Sequence, residues 1–493
     1  MPMDYRRQID LPVAASHEKS PVRKQELDQH GSSELHIQND GLTGQLLVMT
    51  SMGPRMMFPK LNCKCGSHYG CDCRIVFDDD PTLLSTDDRD VVQIAVGQDH
   101  TYFRLRNGEV HSAGRNDQGQ LGRAVASGSF DQPNCGQIIL PTGVGNTYPF
   151  MGVASTLNTG FFTTWQNVHG EHYSNTYACG SNEYNLIGTT GVTTGSPTTM
   201  NLKQTGPSQI LWRRVHEVHC GDRFVLYFGR ISPPSVPSVQ FLESVGGSGY
   251  GQLGTYSGDP GSVEFPQSVY TDNAIKRLAV GGEFVHAQIG DNQIWSWGRN
   301  DRGQCGLRAG SMPFTPTRSC TASQPLFHLS AGSRHGFHYI VDSATPDIPL
   351  GGYLFGAGGS DYPSVNPDGL NGDGTWRDIT ASPFSIHRDY EKILASNEAS
   401  FFIRNNIAYG CGNNSVGQVM PGSTAPTILY QQSQWPGNPA LLANCVDVAS
   451  NGKTTFWILG DGRVAAHGDN TSGQMGVATA TATRTWGIVD FHS

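Results

Sequence analysis

Four thiols fall within the eleven residues "CKCGSHYGCDC" (63–73), the sharpest chemical signal in this sequence. Cys63, Cys65, Cys71 and Cys73, with His68 between them, supply the donor type and number that tetrahedral zinc takes. Each Cys-x-Cys pair is tighter than the common two-residue spacing, so the segment is not a standard finger. A metal-free Cys-rich loop or a disulfide would use the same residues. Structural zinc is thus the one cofactor the sequence suggests. Asp368, Asn371 and Asp373 in "NPDGLNGDG" (366–374) are oxygen donors without the spacing or closing Glu of a calcium loop. They read as a solvated turn. Asp99 beside His100 is not evidence of a catalytic dyad. No nucleophile motif, phosphate loop or carboxylate pair is present, so no catalytic or cofactor-binding residue is assigned and the chain reads as a non-enzyme.

Composition says what must position any such site. Of 493 residues, 61 are glycine and only 15% are charged. Glycine usually makes up ~7% of a protein, so short strands joined by tight turns fit better than long Glu/Lys-rich helices. A net charge of −9 argues against a nucleic-acid-binding body. No apolar run reaches the ~18 residues of a membrane span, and the N-terminus lacks a signal-peptide core. Eleven irregularly spread cysteines suggest a reducing, intracellular setting, cytoplasm or nucleus.

A nine-residue template, Gly-x-Asn-x-x-Gly-Gln-Leu-Gly, recurs along the chain. Copies start at Gly114, Gly180, Gly246, Gly298, Gly412 and Gly468, with a worn one at Gly356, between 52 and 66 residues apart. Counting the first glycine as position zero, position two holds Asn116, Asn182, Asn300, Asn414 and Asn470. Position five holds Gly119, Gly251, Gly303, Gly417 and Gly473, and position eight holds Gly122, Gly188, Gly254, Gly306 and Gly476. The glycines allow positive φ or close backbone approach, and the Asn residues are expected to cap their own turn. Position seven (Leu121, Ile187, Leu253, Cys305, Val419, Met475) is an apolar plug. The Gln at position six has no secure role from sequence.

Before each template lie a short apolar stretch, an alternating stretch, and a turn such as "NG" (107–108) or "DG" (461–462), which signals a hairpin. Each unit thus reads as strands A, B and C, the glycine motif, then strand D. Four-stranded units at this period are propeller blades. The fold class expected is all-β: a seven-bladed propeller of antiparallel blades over 88–493. Residues 1–40 read as a tail that is disordered or ordered by a partner. Residues 41–87 form a Cys-rich segment, where "GQLLVMTSMG" (44–53) could supply a closing strand; the last unit also looks complete by itself. His100, His286 and His335 open strand B and are expected to satisfy hydrogen bonds inside their blades.

The segments "VVQIAVGQDHTYFRLRNGEVHSAGRNDQGQLG" (91–122) and "LAVGGEFVHAQIGDNQIWSWGRNDRGQCG" (278–306) resemble repeats of the regulator of chromosome condensation family. The resemblance covers about four-fifths of the chain. It implies a seven-bladed propeller but no single activity, because members include a nucleotide-exchange factor for the nuclear transport GTPase, an ultraviolet receptor and many interaction modules.

Propeller function sits in loops. The B–C hairpins at 165–175, 229–240 and 341–352 are longer than the others and share one face, where they could form a partner-binding rim. The expected function is therefore a protein–protein interaction module, a scaffold or accessory subunit. The alternative is an exchange factor for a small GTPase, with 229–240 as a wedge. That hairpin contains no acid, Glu243 lies just beyond it, and no exchange residue of the family maps here. Likewise "GSRHG" (332–336) lacks the tryptophan an ultraviolet receptor needs.

Overall fold

The computed structural model describes strands at 9–10, 46–50, 53–57, 59–64 and 72–77, and most residues from 87 onward. Outside that description lie 124–130, 139–149, 169–170, 188–193, 200–212, 232–238, 256–259, 264–274, 325, 342–351, 360–375, 380–389, scattered positions in 422–440, 478–483 and 492–493. Two compact units result, 1–86 and 87–493.

The larger unit contains seven antiparallel sheets of four strands, each drawn from one continuous stretch in the order A-B-C-D. Blade 1 is Val91–Val96, His100–Leu105, Val110–Arg115 and Asp131–Gln137. The A strands of the later blades are Phe150–Ser155, Arg213–Cys220, Ile275–Val280, Leu326–Ala331, Lys392–Ala395 and Cys445–Ser450. Each A strand neighbours the A strand of the next blade around the whole circle, so these strands surround the axis. This is the seven-bladed propeller the spacing predicted.

The core lies between blades. Strands are pleated, so each sheet has two faces and both are apolar where they meet a neighbouring blade. Seven buried clusters fill the seven junctions. Phe161 and Ala178 of blade 2 meet Val225 and Tyr227 of blade 3, and Phe401 of blade 6 meets Trp457 of blade 7 edge to face at 5.5 Å. The junction of blades 4 and 5 is the leanest, with Ile294, Ala322, Leu326 and Ile340 as its fully buried members.

Closure needs no exchanged strand. Blade 7 takes all four strands from Cys445–Val489, the last being Thr485–Val489. Leu46–Thr50, the candidate closing strand, pairs instead with Gly53–Met57. Phe103 and Ala113 of blade 1 pack on Phe456, Val464 and Met475 of blade 7. The Val91 amide donates to the Gly462 carbonyl across the same seam at 3.1 Å.

In the smaller unit, Pro59–Lys64 and Asp72–Phe77 form an antiparallel pair, and Ile9–Asp10 adds to it against Arg74 and Ile75.

Candidate interaction surface

The chain's chemistry concentrates where strands A and B turn and where strand C leads into the glycine motif. Position-zero glycines sit opposite the first residue of strand B, as Gly114 does opposite His100 and Gly298 opposite Phe284. Their φ angles are positive, +108° at Gly114 and +101° at Gly298. A Cβ at Gly298 would stand 2.5 Å from the Glu283 carbonyl oxygen, so the position requires glycine. In blade 5 that role falls to Gly358, opposite His335 with φ +98°, two residues after the Gly356 start expected from sequence. Gly356 lies inside strand C. The opposing strand sets the register there, and the run "GAGG" matches the template equally well in either frame.

The motif's polar residues cross-brace the loop. Asn116, Asn182, Asn300, Asn414 and Asn470 each accept, through Oδ1, the amide of the residue five positions on, at 2.8–2.9 Å. That donor is always the apolar plug, which is buried in every blade where the motif is complete. The Asn therefore bridges the loop rather than capping its own turn, and none of the five has positive φ. Gln120, Gln252, Gln304, Gln418 and Gln474 accept the amide two residues earlier at 2.8–3.0 Å. In blades 1, 4, 6 and 7 the motif is thus a plug held by two internal amide acceptors, and in blades 2 and 3 by one. Gly188 lies outside the described residues.

The A–B turns form a hydrogen-bonded circle. The amide of Gln98 donates to Leu157, Leu157 to Asp222, Asp222 to Gly282 and Gly282 to Gly332, linking blades 1 to 5. Side chains complete it: Ser333 Oγ donates to Asn397 O (2.7 Å), Ser396 Oγ to Ser450 O (3.1 Å), and Asn451 Nδ2 to Gly97 O (2.6 Å). This circle does the closing work that an exchanged strand would do. It rims an axial opening of about 170 Å³ lined by all seven turns. Asp222 stands on that rim. Burial, then the nearby Glu283, pushes its carboxyl up to about 6.

The strand-B histidines are fully buried and reach further than expected. His100 Nε2 meets Ser155 Oγ of blade 2, and His335 Nε2 meets Ser400 Oγ of blade 6, both at 2.9 Å. His286 Nδ1 stays within blade 4, on Ser296 Oγ at 2.7 Å. His467 joins blade 7 to the motif of blade 6. Its Nδ1 donates to the Gly417 carbonyl at 2.9 Å, and its Nε2 accepts from Trp457 Nε1 at 2.8 Å. Burial holds His100, His286 and His335 at about 3, so all three are neutral pegs, His100 and His335 between sheets and His286 within its own. They are not acid–base groups.

On the opposite edge, the long hairpins are ladders. In blade 2, Thr159–Val168 and Glu171–Gly180 stay paired out to Val168 and Glu171. In blade 3 the ladder runs to Ile231 and Val239. Glu243, the acid nearest the candidate wedge, is 9% exposed in strand C and points no free carboxylate outward. Tips 232–238 and 342–351, and the 366–374 turn with Asp368, Asn371 and Asp373, lie outside the described residues. So do Cys65, His68 and Cys71, while Cys63 and Cys73 face each other as partners across an antiparallel ladder. Among the described residues no group of three or more His, Cys, Asp or Glu could hold a metal. Among them, too, no helix is long and apolar enough to cross a membrane.

Two segments, 91–120 and 291–338, match the profile of the regulator of chromosome condensation (RCC1) repeat. The ultraviolet-B receptor UVR8 of Arabidopsis thaliana is 24% identical over 399 residues, 79% of each chain. Among solved structures, yeast Prp20p, reported with its binding to Gsp1p and histones, superposes at TM-score 0.53 with 18% identity, covering 70% of this chain and 77% of that one. Human WBSCR16 superposes at 0.57 with 15% identity over 74% and 86%. At these identities the structural likeness speaks to the fold alone.

Proposed function

We propose that this seven-bladed propeller, two segments of which match the regulator of chromosome condensation repeat, is a non-enzymatic protein-interaction module, a scaffold or accessory subunit that docks partners on its face loops. One observation carries this reading. The A strands, interblade cores and buried histidines are committed to closing the ring, whereas the lengthened ladders of blades 2 and 3 extend beyond what closure needs. Affinity purification from cells with mass spectrometry tests it. The module reading expects the same stoichiometric partners in repeated captures, lost when the blade 2 and blade 3 hairpins are both shortened. A chain recovered alone would overturn it.

A second reading, exchange of guanine nucleotide on a small GTPase, draws on the superposition with Prp20p, whose reported binding includes Gsp1p. Accelerated nucleotide release from a purified GTPase would establish it. A structural zinc on Cys63, Cys65, Cys71 and Cys73 remains a separate proposal. Its support is the register that sets Cys63 across from Cys73 and brings both arms of the cluster to one hairpin.

A further inference from the structure

Residues from all seven A–B turns line the axial opening, and the charged ones among them are Asp222 of blade 3 and Lys453 of blade 7. Blade 3 lies three blades from blade 7 one way round the circle and four the other. The acid and the base therefore stand on nearly opposite turns. Hydrogen-bonded neighbours about 4.8 Å apart make a ring of seven roughly 11 Å across, backbone to backbone. The space enclosed is about 170 Å³, close to the ~150 Å³ of a cavity that accepts benzene. Its shape is already set, because the turns touch: a Cβ on Gly281 would strike the Gly332 carbonyl, and one on Gly332 the Ser396 carbonyl.

Neither charge is spent within the chain. The Asp222 carboxylate makes no hydrogen bond or ion pair among the described residues. Of the guanidinium groups near it, Arg299 is taken up by Glu283 and Asp301, both at 2.8 Å, and Arg223 lies over the Tyr184 ring at 5.3 Å. Burial and Glu283 raise this carboxyl by more than Arg223 and Arg299 lower it, which leaves its negative charge under-compensated. Lys453 likewise has no ion pair among the described residues. Asp99, whose carboxyl feels Lys453, is engaged by Arg115 at 3.8 Å, and Asp469 accepts the Thr471 amide at 3.1 Å. On the same lining, Gln98 and Asn397 keep side-chain amides without a partner among the described residues.

We propose that the axial opening binds a small zwitterion, with its ammonium end at Asp222 and its carboxylate end at Lys453. An ω-amino acid is the class that fits, two opposite charges joined by a short chain in a space of this size. A cation alone would face Lys453 with like charge, and an anion alone would face Asp222 so. Bonds from ionised groups are the strong ones, and the Gln98 and Asn397 amides can accept from the ammonium and donate to the carboxylate. A ring fixed before the ligand arrives spends little on ordering itself. The site lies on the axis, away from the hairpin ladders on which the module reading rests, so the two stand or fall separately.

The test is isothermal titration calorimetry on the full chain at about pH 7.5, where Asp222 is ionised. The probes are glycine, γ-aminobutyrate and ε-aminocaproate, which set the two charges progressively further apart. The controls are hexanoate and hexylamine, each with one of the charges. At least one zwitterion binds with a Kd of about 1 mM or tighter, and both controls bind at least about tenfold more weakly. Asp222→Asn and Lys453→Met each weaken that zwitterion by about tenfold or more, with melting unchanged because neither side chain holds another. Lys453→Arg, which keeps the charge, stays within about threefold of wild type. No zwitterion binding up to ~10 mM, controls that bind as well, or wild-type affinity in Asp222→Asn or Lys453→Met overturns the proposal. So does a loss in Lys453→Arg equal to that in Lys453→Met.

Discussion

Acid should dismantle this propeller in a way its buried histidines dictate. Burial lowers His100, His286, His335 and His338 to about 3, and His328 and His467 to about 4, from 6.5. Between those values and 6.5 the unfolded chain binds a proton at each site and the folded chain does not. The stability they represent is full above pH 6.5 and is lost as pH falls toward the folded values. Each site loses about 1.4 kcal/mol per pH unit, or roughly 2 kcal/mol by pH 5. Six sites together lose roughly 12 kcal/mol at pH 5, comparable to the whole stability of a typical domain. Asp222 opposes them by about one proton, because its folded carboxyl, at about 6, binds a proton before its unfolded form at 3.8. The assay is urea denaturation from pH 7.5 to 5. His100→Gln with His335→Gln keeps a donor for Ser155 and Ser400 but removes two titrating groups. That double variant should reduce the slope of stability against pH by about 2.7 kcal/mol per unit below pH 6. An unchanged slope, or a wild type equally stable at pH 7.5 and 5.5, would refute the argument.

Other outcomes follow from single contacts. Asn300→Ala strips the buried Cys305 amide of its acceptor and should cost about 1–3 kcal/mol by chemical denaturation. Gly298→Ala forces a Cβ against the Glu283 carbonyl at φ +101° and should cost about 1–3 kcal/mol or more. Trp457→Ala empties the blade 6–7 junction and breaks the bond to His467, for about 3–5 kcal/mol in the same measurement. If the cysteine cluster holds zinc, elemental analysis of chelator-free protein finds about one zinc per chain. Cys63→Ser then releases it with little change in propeller melting, and protein without zinc ends that proposal.

Blade number and strand order were legible in the sequence because glycine at positions zero, five and eight repeats with the blade. Which groups the polar motif residues would meet was not. Asn116 reaches an amide five residues on, and Gln120 one two residues back, contacts that exist only once the loop has closed. Spacing alone also misplaced the blade 5 motif, since the left-handed turn at Gly358 is fixed by His335 on the facing strand. Ring closure was ambiguous for a similar reason. Strand-like patterning in 44–53 carries no record of its partner, and Leu46–Thr50 found one in Gly53–Met57. His100 and His335 were recognisable as structural, but their serine partners sit 55 and 65 residues away on the next blade.

The central claim is that this closed propeller works by holding a partner protein on its loop faces. Cross-linking mass spectrometry on the complex captured from cells measures that directly. The account predicts partner cross-links confined to the face loops, including the hairpin ladders of blades 2 and 3, with none to the interblade cores. A chain that yields no partner cross-links, or that turns over a substrate with no partner present, would contradict it.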